Sequence, residues 1–220
     1  MDNRLAYMDQ VPLLGLRALG YVTLVQATWI YDRAIDIDGL RRFHRNLGYG
    51  LLGRRIERSP LPFARDRWVV DRGPQDPDDI DIAAIPRPRA DVGGWADERA
   101  NLAIDPEFGP SWHLGVLPLD DNGTAVSLVV SHGVSDAVGL SLAIADAAEG
   151  RRRNLGYRPP GARSFMCAAL EDARRTVAEL PALARALAAA VRLARRRRQD
   201  LASSIAAAPR PPRATRDDQP

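Results

Sequence analysis

The sequence predicts a mixed α/β (α+β) chain, and three stretches carry that prediction. Residues 21–31 (Tyr-Val-Thr-Leu-Val-Gln-Ala-Thr-Trp-Ile-Tyr) are rich in β-branched and aromatic residues, the composition of a strand. Asp38–Leu52 puts Leu40, Phe43, Leu47 and Leu51 on one face at steps of three and four, the spacing of a buried helical stripe. Residues 112–148 then read as two strands and a helix in succession, with His132 at the second junction.

The remaining elements follow in order. Arg67–Val70 is a short strand, and the Pro- and Asp-rich stretch Gly73–Val92 is a loop crossing. Trp95–Ile104 reads as a short helix. Trp112–Leu119 and Ala125–Val130 pair as a hairpin across Asp120-Asp121-Asn122-Gly123, because Asn-Gly supplies the positive φ that tight turns need. Ser135 is the expected N-cap of a helix Ala137–Ala148, which Gly150 ends. Arg151–Ala162 carries two Pro and two Gly and reads as a linker. Ser164–Gln199 is a long helical pattern with an expected kink at Pro181.

Composition narrows the function. All 31 basic residues are Arg, and the calculated pI is about 9.5. The basicity is local, however: residues 1–150 hold 15 Arg against 22 acidic residues, whereas 151–200 hold 13 Arg against 4. No aromatic residues interleave with the late Arg cluster, so nucleic acid is not an expected partner. The single Cys167 excludes an internal disulfide. With neither a signal peptide nor an apolar run of about 18 residues, the expected location is cytoplasmic, with association to a membrane left open. Three scattered His and one Cys offer no metal-ligand spacing, so no metal is expected.

The chemistry concentrates at His132. A strand ending in an imidazole presents it to a cleft, and imidazole is the side chain most often used as a general base. Asp136, four residues on, stands at the start of the next helix. The plainer readings are a structural histidine and a first-turn carboxylate favoured by the helix dipole. His44 is expected on a solvated helix face beside Arg42 and Arg45, and His113 as a packing or surface residue. Ser131 is not expected to be a nucleophile, since adjacent strand residues point to opposite faces and no Gly-x-Ser-x-Gly elbow is present.

Ser131-His132-Gly133-Val134-Ser135-Asp136-Ala137 resembles the His-His-x-x-x-Asp-Gly motif of the chloramphenicol-acetyltransferase-like superfamily. Its members include condensation domains, carnitine acyltransferases and the wax ester synthase/diacylglycerol acyltransferases. The first His of the motif is Ser131 here, and its final Gly is Ala137. Asn101–Trp112 resembles the family's entry into the strand pair before this loop, and Ile35–Arg42 with Leu51–Ile56 resembles its first helix and exit. The resemblance covers about residues 15–150.

The resemblance implies a chloramphenicol-acetyltransferase-like N-terminal lobe, a mixed sheet flanked by helices, followed by a long basic helix. It divides the chain into that lobe (1–150), a linker (151–163), a basic crossover helix (164–200) and a disordered tail (201–220). His132 inherits the role of catalytic base, and Asp136 a structural role that the family fills through an ion pair with Arg. The implied activity is CoA-dependent O-acyl transfer from acyl-CoA to an alcohol or diacylglycerol, with acyl-CoA as substrate and no bound cofactor. The Arg/Ala/Leu-rich helix resembles the inter-lobe connection of the wax ester synthase branch and favours that branch over condensation domains. No Asp-Phe-Gly-Trp-Gly segment of the family's second lobe is present, so the chain reads as a first half that needs a second-lobe polypeptide. The alternatives are a catalytically inactive lobe acting as an interaction partner, and a condensation-type domain using carrier-protein thioesters. For the basic helix, the expectations are packing on a second lobe or attachment to an anionic membrane surface.

Overall fold

A computed structural model describes residues 3–20, 22–73 and 79–206, the last seven of these by backbone alone. Two compact units are present, Met1–Ala173 and Arg174–Pro220. The first is built of helices α1 (Tyr7–Leu19), α2 (Ile37–Leu47), α3 (Val92–Ala100) and α4 (Ala137–Ala148). Its strands are β1 (Leu24–Tyr31), β2 (Arg54–Glu57), β3 (Arg67–Val70), β4 (Asp81–Ile82), β5 (Trp112–Pro118) and β6 (Thr124–Ser131). It also holds the first turns of α5 (Phe165–Ala206), and this helix continues as the described part of the second unit.

The main sheet has the order β1-β6-β5-β4, antiparallel except for the β4–β5 pair, and is therefore mixed. Strand β6 is buried at every position, as its Val- and Leu-rich sequence requires of a central strand covered on both faces. The two-residue period sorts its side chains. Val126, Leu128 and Val130 join Trp112, Leu114 and Val116 under α2 and α4, whereas Ala125 joins Leu117, Leu119, Val92 and Trp95 beneath α3. Each fully buried Leu or Val contributes roughly 1.5–3 kcal/mol. A second, two-stranded sheet pairs β2 with β3.

Helix α2 stops at Leu47 rather than continuing to Leu52, as the periodicity predicts. Gly48 and the positive φ of Gly50 turn the chain there, and Gly50–Leu52 forms a separate 3-10 turn. Within α2, the expected solvated face of His44 is a correction. His44 is fully buried, edge-on to Trp112 with ring centroids 5.1 Å apart. Among the described residues neither ring nitrogen has a hydrogen-bond partner, and burial pushes its pKa below the usual range, Asp79 opposing this and Arg45 adding to it. At 100° per residue His44 falls beside the stripe Leu40–Phe43–Leu47, four residues after Leu40 and three before Leu47.

Other expectations shift less. The expected hairpin forms, with Asn122 at φ 65° in its turn. The expected first strand begins at Leu24, and its first residue, Tyr21, lies outside the described residues. The helix at 95–104 is α3, displaced to Val92–Ala100. The loop crossing Gly73–Val92, of which 74–78 lie outside the described residues, includes the two-residue edge strand β4. Helix α1 has no counterpart in the sequence reading because Pro12 lies inside it and Ala6 offers no capping side chain. Tertiary pairing holds it instead: Arg17 bonds Asp66 at 2.9 Å and also pairs with Glu107, and Gln10 donates to Asp66 at 2.8 Å.

The stretch 151–163 has no helix or strand but is tied to the first unit. Val70 donates to the Arg158 carbonyl at 2.9 Å, and Gly161 to Glu57 at 2.7 Å. The start of α5 is fixed by a buried cluster in which Asp172 accepts from Ser59 Oγ at 2.7 Å and pairs with Arg67 and Arg163. Helix α5 runs through the expected interval to Ala206, and residues 207–220 of the expected tail lie outside the described residues.

Candidate active site

Strand β6 ends at Ser131, and the chain leaves the sheet through a tight turn. Ser131 carbonyl oxygen accepts from Val134 N at 2.9 Å and Ser135 N at 3.1 Å. Val134 and Ser135 are buried by this turn, which turns His132 outwards. Ser131, the last strand residue, is 2% exposed, and His132, the first residue beyond the strand, is exposed. The backbone of His132 remains fixed, its N–H donating to the Thr23 carbonyl at 2.8 Å.

The imidazole borders a hollow of about 390 Å3. One wall comes from α1 (Met8, Asp9, Pro12), another from Leu51, Arg54 and Trp68, and the floor from the turn and Gly139. The hollow is thus mostly apolar, with His132, Asp136, Asp9 and Arg54 as its ionisable groups. Such a mixture suits a ligand with an apolar body and a reacting polar end.

Asp136 acts on the turn through α4. Its extended backbone and a 2.7 Å bond from Gly139 N to its Oδ1 make it the N-cap of that helix. Ser135, the expected cap, instead sends its Oγ–H to the Asp136 carbonyl at 3.3 Å. Among the described residues no ion pair reaches Asp136, so the Asp–Arg pair that the resemblance implies is replaced by capping. A cation nevertheless holds the turn. Arg54 Nη2 donates to the Val134 carbonyl at 2.8 Å and Nη1 to Tyr157 Oη at 3.1 Å, while its guanidinium lies 3.8 Å over the Trp68 ring.

The glycine requirement also moves. Asn122 is the one non-glycine residue with positive φ among the described residues, so Ala137 is unstrained where the family motif has Gly. Gly139 is the constrained position: a Cβ there would collide with Ser135 Oγ and stand 3.1 Å from Asp136 Oδ1.

The structure places His132 and Asp136 at one hollow, and the other two histidines lie elsewhere. His113 is half-buried on β5, its Nε2 3.2 Å from the Ala103 carbonyl, and His44 is in the core. Arg54, Trp68 and the residues of α1 were not singled out by sequence. Arg54 had a signal, since it stands in the Leu51–Ile56 stretch of the resemblance, but α1 had none. Among the described residues no group of three or more His, Cys, Asp or Glu is placed to hold a metal.

No protein-family model matches the chain, and a comparison with curated proteins finds no relative. Solved structures do match in fold. The X-domain from teicoplanin biosynthesis aligns with TM-score 0.54 and 16% identity, over 80% of this chain and 39% of that one. A second matching structure contains the X-domain in complex with OxyB. The first condensation domain of the CDA synthetase aligns with TM-score 0.55 and 15% identity, over 80% and 46%. A starter condensation domain of rhizomide synthetase, a mutant in complex with C8-CoA, aligns with TM-score 0.55 and 12% identity, over 66% and 34%. The chain thus spans less than half the length of these proteins. What it shares with them is the fold, a mixed sheet flanked by helices.

Proposed function

We propose that the chain is the histidine-bearing lobe of an acyltransferase that moves an acyl group from acyl-CoA to an alcohol. The observation that carries this reading is His132, exposed at the end of a buried strand and bordering a largely apolar hollow. In the proposed reaction a ring nitrogen of His132 accepts the hydroxyl proton as the alcohol oxygen bonds to the thioester carbonyl carbon. The tetrahedral intermediate then collapses, the C–S bond breaks, and the imidazolium returns the proton to the thiolate. Ester and CoA–SH are the products, with no acyl-enzyme. Asp136 and Arg54 position the turn and do not exchange protons. The C8-CoA complex of a structurally similar domain supports a CoA thioester as donor.

A second reading, condensation of a carrier-protein thioester with an amine, is favoured by the condensation domains among the similar structures. That likeness gives no support to the wax ester synthase branch or diacylglycerol as acceptor, which stay proposals of the sequence alone. A third, an inactive lobe that recruits a partner, draws on the X-domain held with OxyB.

The discriminating experiment is a rate measurement on the chain assembled with its second lobe, whether that lobe comes from the same polypeptide or a partner. Octanoyl-CoA with decanol and octanoyl-CoA with decylamine are compared, following CoA release. Turnover with the alcohol supports the first reading, and turnover confined to the amine supports the second. No turnover with either leaves the interaction reading.

A further inference from the structure

From Arg174 onwards α5 exposes Val177, Leu180, Leu183, Leu187 and Val191, each between 42% and 65% accessible. Steps of three and four gather these side chains into a helical sector of roughly 120°. Arg174, Arg185 and Arg192 fall within roughly 20° of one another in a second sector. Arg195, Arg196, Arg197 and Arg198 follow. Between 174 and 199 the helix carries eight Arg and one Glu. Among the described residues no helix is long and apolar enough to cross a membrane. The stripe from Val177 to Val191 is about 21 Å long.

The charge decides what covers this stripe. A second copy laid along it would bring two Arg-rich flanks together without the opposite charges that stabilise paired helices. A surface of negative charge with an apolar layer beneath it complements both sectors at once. Arg side chains are suited to its edge, because their aliphatic stems lie against apolar matter while the guanidinium reaches phosphate.

We propose that α5 beyond Arg174 lies in the plane of an anionic lipid surface, with the Val/Leu stripe inserted at the headgroup boundary and the Arg row on lipid phosphates. The inference goes beyond acyl transfer and does not depend on it. Each Arg near such a surface contributes about fivefold in affinity.

The test is co-sedimentation of the full chain with vesicles of phosphatidylcholine alone and of phosphatidylcholine with phosphatidylglycerol. Binding to the anionic vesicles, weak binding to the neutral ones and release in about 0.5 M salt are expected, since salt screens the phosphate contacts. Arg174→Gln, Arg185→Gln and Arg192→Gln together should weaken anionic binding by about a hundredfold, and Leu183→Asp with Leu187→Asp should abolish it. All five positions lie outside the Met1–Ala173 unit, and far-UV circular dichroism checks the helix itself. Equal binding to neutral and anionic vesicles, or none to either, overturns the proposal. So does a lipid-free oligomer that the two Leu→Asp changes dissociate, or binding to duplex DNA that survives them.

Discussion

Arg54 Nη2 donates to the Val134 carbonyl at 2.8 Å, so the turn that presents His132 is held by a cation from β2. Charged hydrogen bonds of this kind contribute about 1.5–3 kcal/mol, and the Trp68 ring beneath the guanidinium adds to it. Arg54→Met should therefore lower unfolding free energy by about 2 kcal/mol. In the assembled enzyme it should lower kcat by displacing the base, and raise KM as well, because Arg54 also lines the hollow. Arg54→Lys, which cannot span Val134 and Tyr157 together, should restore little of either. Urea unfolding and steady-state kinetics check both; unchanged kcat in Arg54→Met would separate the turn from the chemistry.

Asp136 gives a sharper contrast. An N-cap carboxylate replaced by Ala costs about 1 kcal/mol, whereas Asn caps nearly as well. Asp136→Ala should lose that much stability and Asp136→Asn should lose little, because Gly139 N finds an acceptor in both Asp and Asn. A large loss in Asp136→Asn would point to an ion pair and against capping.

His44 predicts an acid-side instability. Its folded-state pKa is depressed by burial, so the unfolded chain takes up the proton first. Stability from this residue is full above about pH 6.5 and declines as the pH falls below it. Thermal melts between pH 7.5 and 5 should show the decline, and His44→Phe should flatten it. The buried Asp172 acts in a separate window. Burial opposes its ionisation, but bonds from Arg67 and Ser59 outweigh that and hold its pKa below the usual value. Its contribution persists above about pH 4 and is lost only at lower pH. A His44→Phe profile as steep as wild type between pH 7 and 5 would contradict the assignment.

Much of the fold was legible in the sequence because the β5–β6 hairpin, α4 and α5 each carry a local signal: a β-branched run with a turn dipeptide, a capped helix, or a helical stripe. The failures have local physical causes. Helix α1 carries Pro12 and lacks a capping side chain, so it is fixed by Arg17 and Gln10 reaching Asp66, contacts that join residues far apart in sequence. His44 was misplaced because a polar side chain on an amphipathic helix is assigned to solvent, while Trp112 from β5 encloses it. At the site, His132 and Asp136 were visible as a motif. Arg54's contact with Val134 spans 80 residues of chain and has no local signature.

The role proposed for His132 is that of a general base. Its most direct test is the initial rate of CoA release from octanoyl-CoA and decanol by the assembled enzyme, compared between wild type and His132→Ala at matched thermal stability. A positioned base contributes about 10²–10⁴-fold, so His132→Ala should lose turnover within that range while His113→Ala keeps it. Near-normal turnover by His132→Ala would contradict the account.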